Sequence, residues 1–215
     1  LVMTINEPYK ECDYSIHYYY EDLQGVMQED TDSAETDIES IYNNQISKAD
    51  IQDKIEAKDI DGFTYQSSES LDQEGTAHNF ETTPLTIGVV EENNRINVYY
   101  SRDSINYEVH YFFDGVDDTS IKQVKSAKYE AEISTYDAAP ADKLAGHRFD
   151  KVKALDANGS EVDLPLVIKV DPNKNRINVY YVSIYTINTE VAARNGTNHD
   201  GTADTVKGGT ISGEN

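Results

Sequence analysis

Strict alternation of large and polar side chains marks both ends of each half of the chain. In Tyr14-Ser15-Ile16-His17-Tyr18-Tyr19-Tyr20 and in Ile96-Asn97-Val98-Tyr99-Tyr100, β-branched and aromatic residues recur at every second position. That is the period of a strand with one buried face. It turns Tyr14, Ile16, Tyr18, Tyr20, Ile96, Val98 and Tyr100 inward, and His17, Tyr19, Asn97 and Tyr99 outward. In the second half the same reading places Tyr107, Val109, Tyr111, Phe113, Ile177, Val179 and Tyr181 inside, with His110, Phe112, Asn178 and Tyr180 outside. Between the first pair of strands, Ala49, Ile51 and Ile55 fall near helical spacing behind the cap Ser47, which predicts a short amphipathic helix over 47–58. The corresponding stretch 138–144 is shorter and has room for one or two turns starting at Pro140.

The pattern is a duplication. The run Asn94–Tyr100 returns residue for residue as Asn175–Tyr181, and Pro84-Leu85-Thr86-Ile87 returns as Pro165-Leu166-Val167-Ile168. Gly62 with Phe63 and Tyr65 is answered by Gly146 with His147 and Phe149. A unit with strands at both ends and one short covering helix is an α+β roll whose first and last strands can lie side by side, the β-grasp arrangement. The predicted layout is a module over 14–101 and a second over 102–184, each a mixed sheet covered on one face by a short helix. Residues 1–13 read as the end of a preceding module or linker, and 185–215 as a linker with the start of a truncated following one. The chain is thus expected to be a piece of a longer multi-module protein, monomeric as a fragment.

These residues resemble the mucin-binding-protein (MucBP-type) repeat found in tandem on cell-wall adhesins of Gram-positive bacteria. The likeness rests on the opening Tyr-x-Ile/Val-x-Tyr-Tyr/Phe strand, the acidic turn after it (Glu21-Asp22, Asp114-Gly115), Gly146 before Phe149, and the closing Asn-Arg-Ile-Asn-Val-Tyr-Tyr strand. The resemblance implies a ubiquitin-like β-grasp fold, surface display on the cell wall, and for some members binding of mucin or host glycoprotein. The first copy departs through its longer helical insert and its weakly patterned second strand.

Charge narrows the partners. The formal net charge is -22, which repels phosphate backbones and anionic headgroups, so nucleic acid is excluded. No run approaches the roughly 20 apolar residues needed to cross a bilayer, so no membrane insertion is expected of this segment. Cys12 is the single cysteine, which rules out an internal disulfide and a thiolate metal cluster. The histidines have no zinc-like spacing, and no nucleophile elbow, phosphate loop or dinucleotide fingerprint occurs, so the chain is not expected to be an enzyme.

The candidate ligand-binding residues are the outward aromatics and their polar neighbours. If opening and closing strands adjoin, Tyr19 lies near Tyr99 with His17 and Asn97 alongside, and Phe112 near Tyr180 with His110 and Asn178. Flat rings beside amide donors suit sugars, since C–H faces stack on rings while hydroxyls find polar partners. Two other uses stay open: cross-strand aromatic pairs that only stabilise an exposed sheet, and packing between the copies. Oxygen-rich turns, chiefly Asp156 and Asn158 with Asp163, make calcium a candidate cation, with no other cofactor expected. The functional expectation is an adhesin fragment binding host mucin, glycoprotein or glycan through tandem repeats. The alternative is a stalk that projects a ligand-binding tip and has no ligand of its own.

Overall fold

In the computed structural model, residues 10–58, 60–187 and 211–212 are described. The predicted start of a further module at Gly208–Glu214, most of the tail and Leu1–Glu7 lie largely or wholly outside them. The chain divides into two compact units. One holds Leu1–Asn106 with Ser126–Glu132 and Val167–Pro172, the other Tyr107–Lys125, Ile133–Leu166 and Asn173–Asn215. The fold is mostly β-sheet with one short α-helix among the described residues, and its two large sheets are mixed.

The first half carries β1 (Tyr14–Glu21), β2 (Met27–Glu29), β3 (Glu35–Ile38), β4 (Gln45–Ile46), α1 (Gln52–Ala57), β5 (Phe63–Leu71), β6 (Ala77–Asn79), β7 (Leu85–Thr86) and β8 (Arg95–Arg102). Its six-stranded sheet runs β2-β1-β8-β5-β6, with β3 also on β1. The second half carries β9 (Ser104–Phe113), β10 (Val116–Asp117), β11 (Gln123–Lys128), β12 (Glu132–Ile133), β13 (His147–Leu155), β14 (Glu161–Val162), β15 (Leu166–Val167), β16 (Arg176–Ser183), β17 (Thr186–Ile187) and β18 (Ile211–Ser212). Its sheet runs β10-β9-β16-β13-β14, with β11 on β9. The opening and closing strands adjoin in both halves: β1 pairs β8 in parallel and β9 pairs β16 in parallel. The antiparallel neighbour of each closing strand carries a bulge at the same place, between Tyr65 and Ser67 and between Phe149 and Lys151.

The alternation predicted from sequence holds on the inner faces. Ile16, Tyr18, Ile96, Val98 and Tyr100 are fully buried, as are Val109, Tyr111, Ile177 and Val179. Each apolar side chain removed from water in this way contributes about 1.5–3 kcal/mol. In the first half Ile51 and Ile55 close the core from above. Ser47 starts that segment: its backbone N–H donates to Asp50 Oδ2 at 2.7 Å. The first turn is 3-10 (Lys48–Ile51) and only then α-helical. Tightening the first turn changes which side chains point inward, so Ala49, expected on the inner face, is exposed.

The second half departs from the expected covering helix. Residues 138–144 form turns, with Lys143 N–H donating to Pro140 O at 2.9 Å, and no helix. The stretch is too short to repay helix nucleation, and Pro140 drives Ala139 toward extended backbone. One inner tyrosine serves both solutions. Tyr100 donates its hydroxyl to Ile55 O in α1 at 2.6 Å, whereas its repeat equivalent Tyr181 accepts from the Ala139 N–H at 3.2 Å.

Candidate functional site

The parallel registers bring the outward candidates together in each half. Tyr19 stands opposite Tyr99 and His17 opposite Asn97; Phe112 stands opposite Tyr180 and His110 opposite Asn178. Ring centroids are 5.1 Å apart in the first pair and 4.8 Å in the second, the latter stacked at 24° between planes. Each ring therefore spends one face on its neighbour. Lys151 Nζ, displaced by the bulge to stand opposite Tyr180, lies 4.9 Å from that ring's centroid. These contacts take up part of the ring surface within the chain.

Around the first pair the polar groups are mutually engaged. His17 Nδ1 meets Glu29 Oε1 at 2.6 Å and its Nε2 meets Ser15 Oγ at 3.0 Å. Arg95 donates from Nε to Asn97 Oδ1 at 2.7 Å and from Nη2 to the Tyr19 hydroxyl, which in turn donates to Glu29 Oε2 at 3.2 Å. Tyr99 donates to Glu69 Oε2 at 3.0 Å. Burial, reinforced by that carboxylate, pushes the Tyr99 phenol up to about 12. The His17 hydrogen bond, with Arg95 adding to it, holds the Glu29 carboxyl below its usual range.

The second pair sits in a more acidic setting. His110 lies between Glu108 Oε2 and Asp117 Oδ2, each at 2.7 Å, and Lys122 Nζ meets Glu108 Oε1 at 2.6 Å. Tyr180 donates its hydroxyl to Glu161, and Asn178 Nδ2 donates to the same Oε1 at 2.6 Å. Burial, together with that bond to Glu161, raises the Tyr180 phenol to about 12. His110 and Asn178 were read as solvent-facing, yet they are 7% and 2% exposed. Neighbouring long acids and lysines fold over this face, as a short-range periodicity cannot anticipate. Three buried atoms here have no partner: Asp117 Oδ1, Arg176 Nε and Asn178 Oδ1.

Two of the three calcium candidates make bonds within the chain. Asp156 Oδ1 accepts from the Asn158 and Ser160 N–H groups, each at 2.8 Å, and Asp163 Oδ1 accepts from Lys153 Nζ at 2.7 Å. Among the described residues no group of three or more His, Cys, Asp or Glu side chains is placed to hold a metal ion. No helix among them is long and apolar enough to cross a membrane.

Sequence reasoning missed the arginine and the acids on the outer faces: Arg95 with Glu29 in the first half, and Asp117 and Glu161 in the second. The repeated motif contains that arginine and could have flagged it. It also missed a cavity of about 410 Å³ in the first unit, lined by Tyr42, Ser70, Asp72, Gln73, His78 and Gly88 among others. Its wall is pinned by Asn94, whose side chain donates to Asp13 O and Gly88 O, both at 3.0 Å, and accepts from Gly88 N–H at 2.8 Å.

Neither a family model nor a curated protein sequence matches the chain. Among the solved structures that match is the crystal structure of Mub-RV, 14% identical, covering 80% of this chain and 98% of its own, with a TM-score of 0.21. A superposition that poor carries no argument about fold or function.

Proposed function

We propose that the chain is a non-enzymatic piece of a Gram-positive cell-wall adhesin, built of tandem ubiquitin-like β-grasp modules over 14–101 and 102–184. Its ligand is host mucin, glycoprotein or glycan, bound without a cofactor. One observation carries this reading: each half pairs its terminal strands in parallel and so sets aromatic against aromatic beside an imidazole and an amide. With part of each ring surface spent on its neighbour, the individual sites are weak. Tandem copies raise such affinities through effective concentration. The sequence resemblance to MucBP-type repeats supports the same reading.

Binding of the full chain to immobilised mucin and to a glycan array tests it. Phe112→Ala combined with Tyr180→Ala should weaken mucin binding about tenfold with the far-ultraviolet circular dichroism preserved. Unchanged binding would reject the aromatic row as a contact surface.

The spacer reading is favoured by one specific observation in the first unit. The Tyr19 and Tyr99 hydroxyls, the Asn97 carbonyl and both ring nitrogens of His17 are all engaged within the chain. A stalk module predicts no mucin or glycan binding at any concentration.

A further inference from the structure

The first compact unit includes a turn from the second half of the sequence, Ser126–Glu132. Within that unit the Tyr129 ring covers Gly62, where a Cβ would stand 2.2 Å from Tyr129 Cδ1, and meets Phe63 edge-on at 6.0 Å between centroids. The Tyr129 N–H donates to Asp103 O at 2.8 Å, and the Asp103 N–H donates to Gly62 O at 2.9 Å. Lys128 Nζ donates to Glu21 Oε2 and to Arg102 O, both at 3.0 Å.

The second unit repeats this seat. Asp114 Oδ1 accepts from the Ser183 N–H at 2.8 Å, as Glu21 Oε2 accepts from the Arg102 N–H at 2.9 Å. The Ile184 N–H donates to Gly146 O at 2.8 Å, in the manner of Asp103 and Gly62. Phe113 meets the His147 ring edge-on at 5.0 Å, as Tyr20 meets Phe63 at 5.2 Å. What differs is the cover. Gly62 is buried beneath Tyr129, whereas Gly146 is exposed and a Cβ built on it would meet nothing within 4 Å. The Asp114 side chain is 48% exposed against 14% for Glu21, and Ile184 is 55% exposed.

We propose that this end of the second unit, formed by Asp114, Gly146, His147, Ser183 and Ile184, is the docking face for a lysine–tyrosine turn supplied by a further copy of the repeat. The lysine bridges Asp114 and Ser183 O, the tyrosine ring lies over Gly146 against His147, and the tyrosine N–H pairs with Ile184 O. Asp114 has room for the ammonium: beyond the Ser183 N–H it accepts only from Ser183 Oγ and faces His147 Nε2 at 3.8 Å, so carboxylate lone pairs remain. The chain contains one Lys-Tyr step, Lys128-Tyr129, and the first unit already uses it, so the occupant is the equivalent turn of another module. A lysine is also the charge that a carboxylate on a chain of net charge -22 attracts. The proposal rests on the tandem-repeat part of the reading above and is independent of the glycan.

The test titrates a synthetic peptide of residues 124–133 into the full chain and follows its backbone amide shifts by NMR. Saturable shifts are expected at Gly146, His147 and Ile184 with a Kd of about 1–10 mM, which suffices for modules in series because a short linker supplies a millimolar effective concentration. Gly62 and Phe63, already covered, should not move. Alanine in place of the peptide's lysine and tyrosine should weaken binding at least about tenfold, and Asp114→Asn in the chain about threefold. No saturable shift at those three amides, equal shifts with the alanine peptide, or unchanged binding by Asp114→Asn overturns the proposal. Should Asp114→Asn fail to fold, Gly146→Asn carries that arm. Asparagine tolerates the positive φ of 79° there and its side chain fills the place of the tyrosine ring, so unchanged binding overturns the proposal. Mucin binding by the full chain, measured alongside, reads the adhesin proposal separately: its absence leaves the docking face standing, and its presence does not rescue a face that takes no peptide.

Discussion

Gly88 occupies a point where a side chain would collide with Gln73: a Cβ built there lies 1.8 Å from Gln73 Cδ. Gln73 is not free to swing aside. Its Oε1 accepts from the Val90 N–H at 2.9 Å and its Nε2 donates to Asn94 Oδ1 at 3.1 Å. In the repeat, Lys169 stands at the position of Gly88 and Ala157 at that of Gln73.

Gly88→Ala should destabilise the first unit by about 1–3 kcal/mol, read by urea or thermal unfolding. Gln73→Ala added to Gly88→Ala should recover part of that loss. The coupling is expected at about 0.5–2 kcal/mol, and strictly additive effects would show that the two side chains do not compete.

The buried hydroxyl of Tyr100 should be worth more than that of Tyr181, because its bond to Ile55 O is 2.6 Å and fixes α1, against 3.2 Å from the Ala139 N–H. Tyr100→Phe is expected to cost about 1–2 kcal/mol, a fall of roughly 5 °C in the midpoint of a unit this size. A larger fall for Tyr181→Phe would contradict the ranking.

Glu29 links stability to pH. The hydrogen bond from His17 holds its carboxyl below the ordinary glutamate value of 4.5, so the native state binds that proton less readily than the unfolded chain. Its contribution is fully present above 4.5 and is lost as pH falls through the lower native value. The stability difference between wild type and Glu29→Gln, measured by denaturant titration, should be constant from pH 6 to 5 and shrink below about 4.5. A difference that grows on acidification would refute the assignment.

Much of this was open to reading from residue order. The identity of Asn94–Tyr100 with Asn175–Tyr181 revealed the duplication, and period-two alternation assigned the inner faces, since a pleated strand leaves each side chain only two directions. The adjacency of Tyr19 with Tyr99 and of Phe112 with Tyr180 followed from placing both terminal strands together, and the registers match. The helix over 138–144 was misread because a proline that can open a helix can as readily sit in a turn. The burial of His110 and Asn178 was misread because alternation describes a strand and not the long side chains arriving from its neighbours.

Sequence alone thus determined the repeat and the side of the sheet to which each strand residue belongs, both properties of local pattern. Tertiary structure decided which polar groups meet across the outer faces, which ring surfaces are taken up by neighbours, and that Arg176 Nε, Asn178 Oδ1 and Asp117 Oδ1 are buried without a partner. The reason is that such meetings depend on strand order and bulges, which bring distant residues within hydrogen-bond range. A hydrogen bond is made or lost over a few tenths of an ångström, a resolution no pattern of residue types contains.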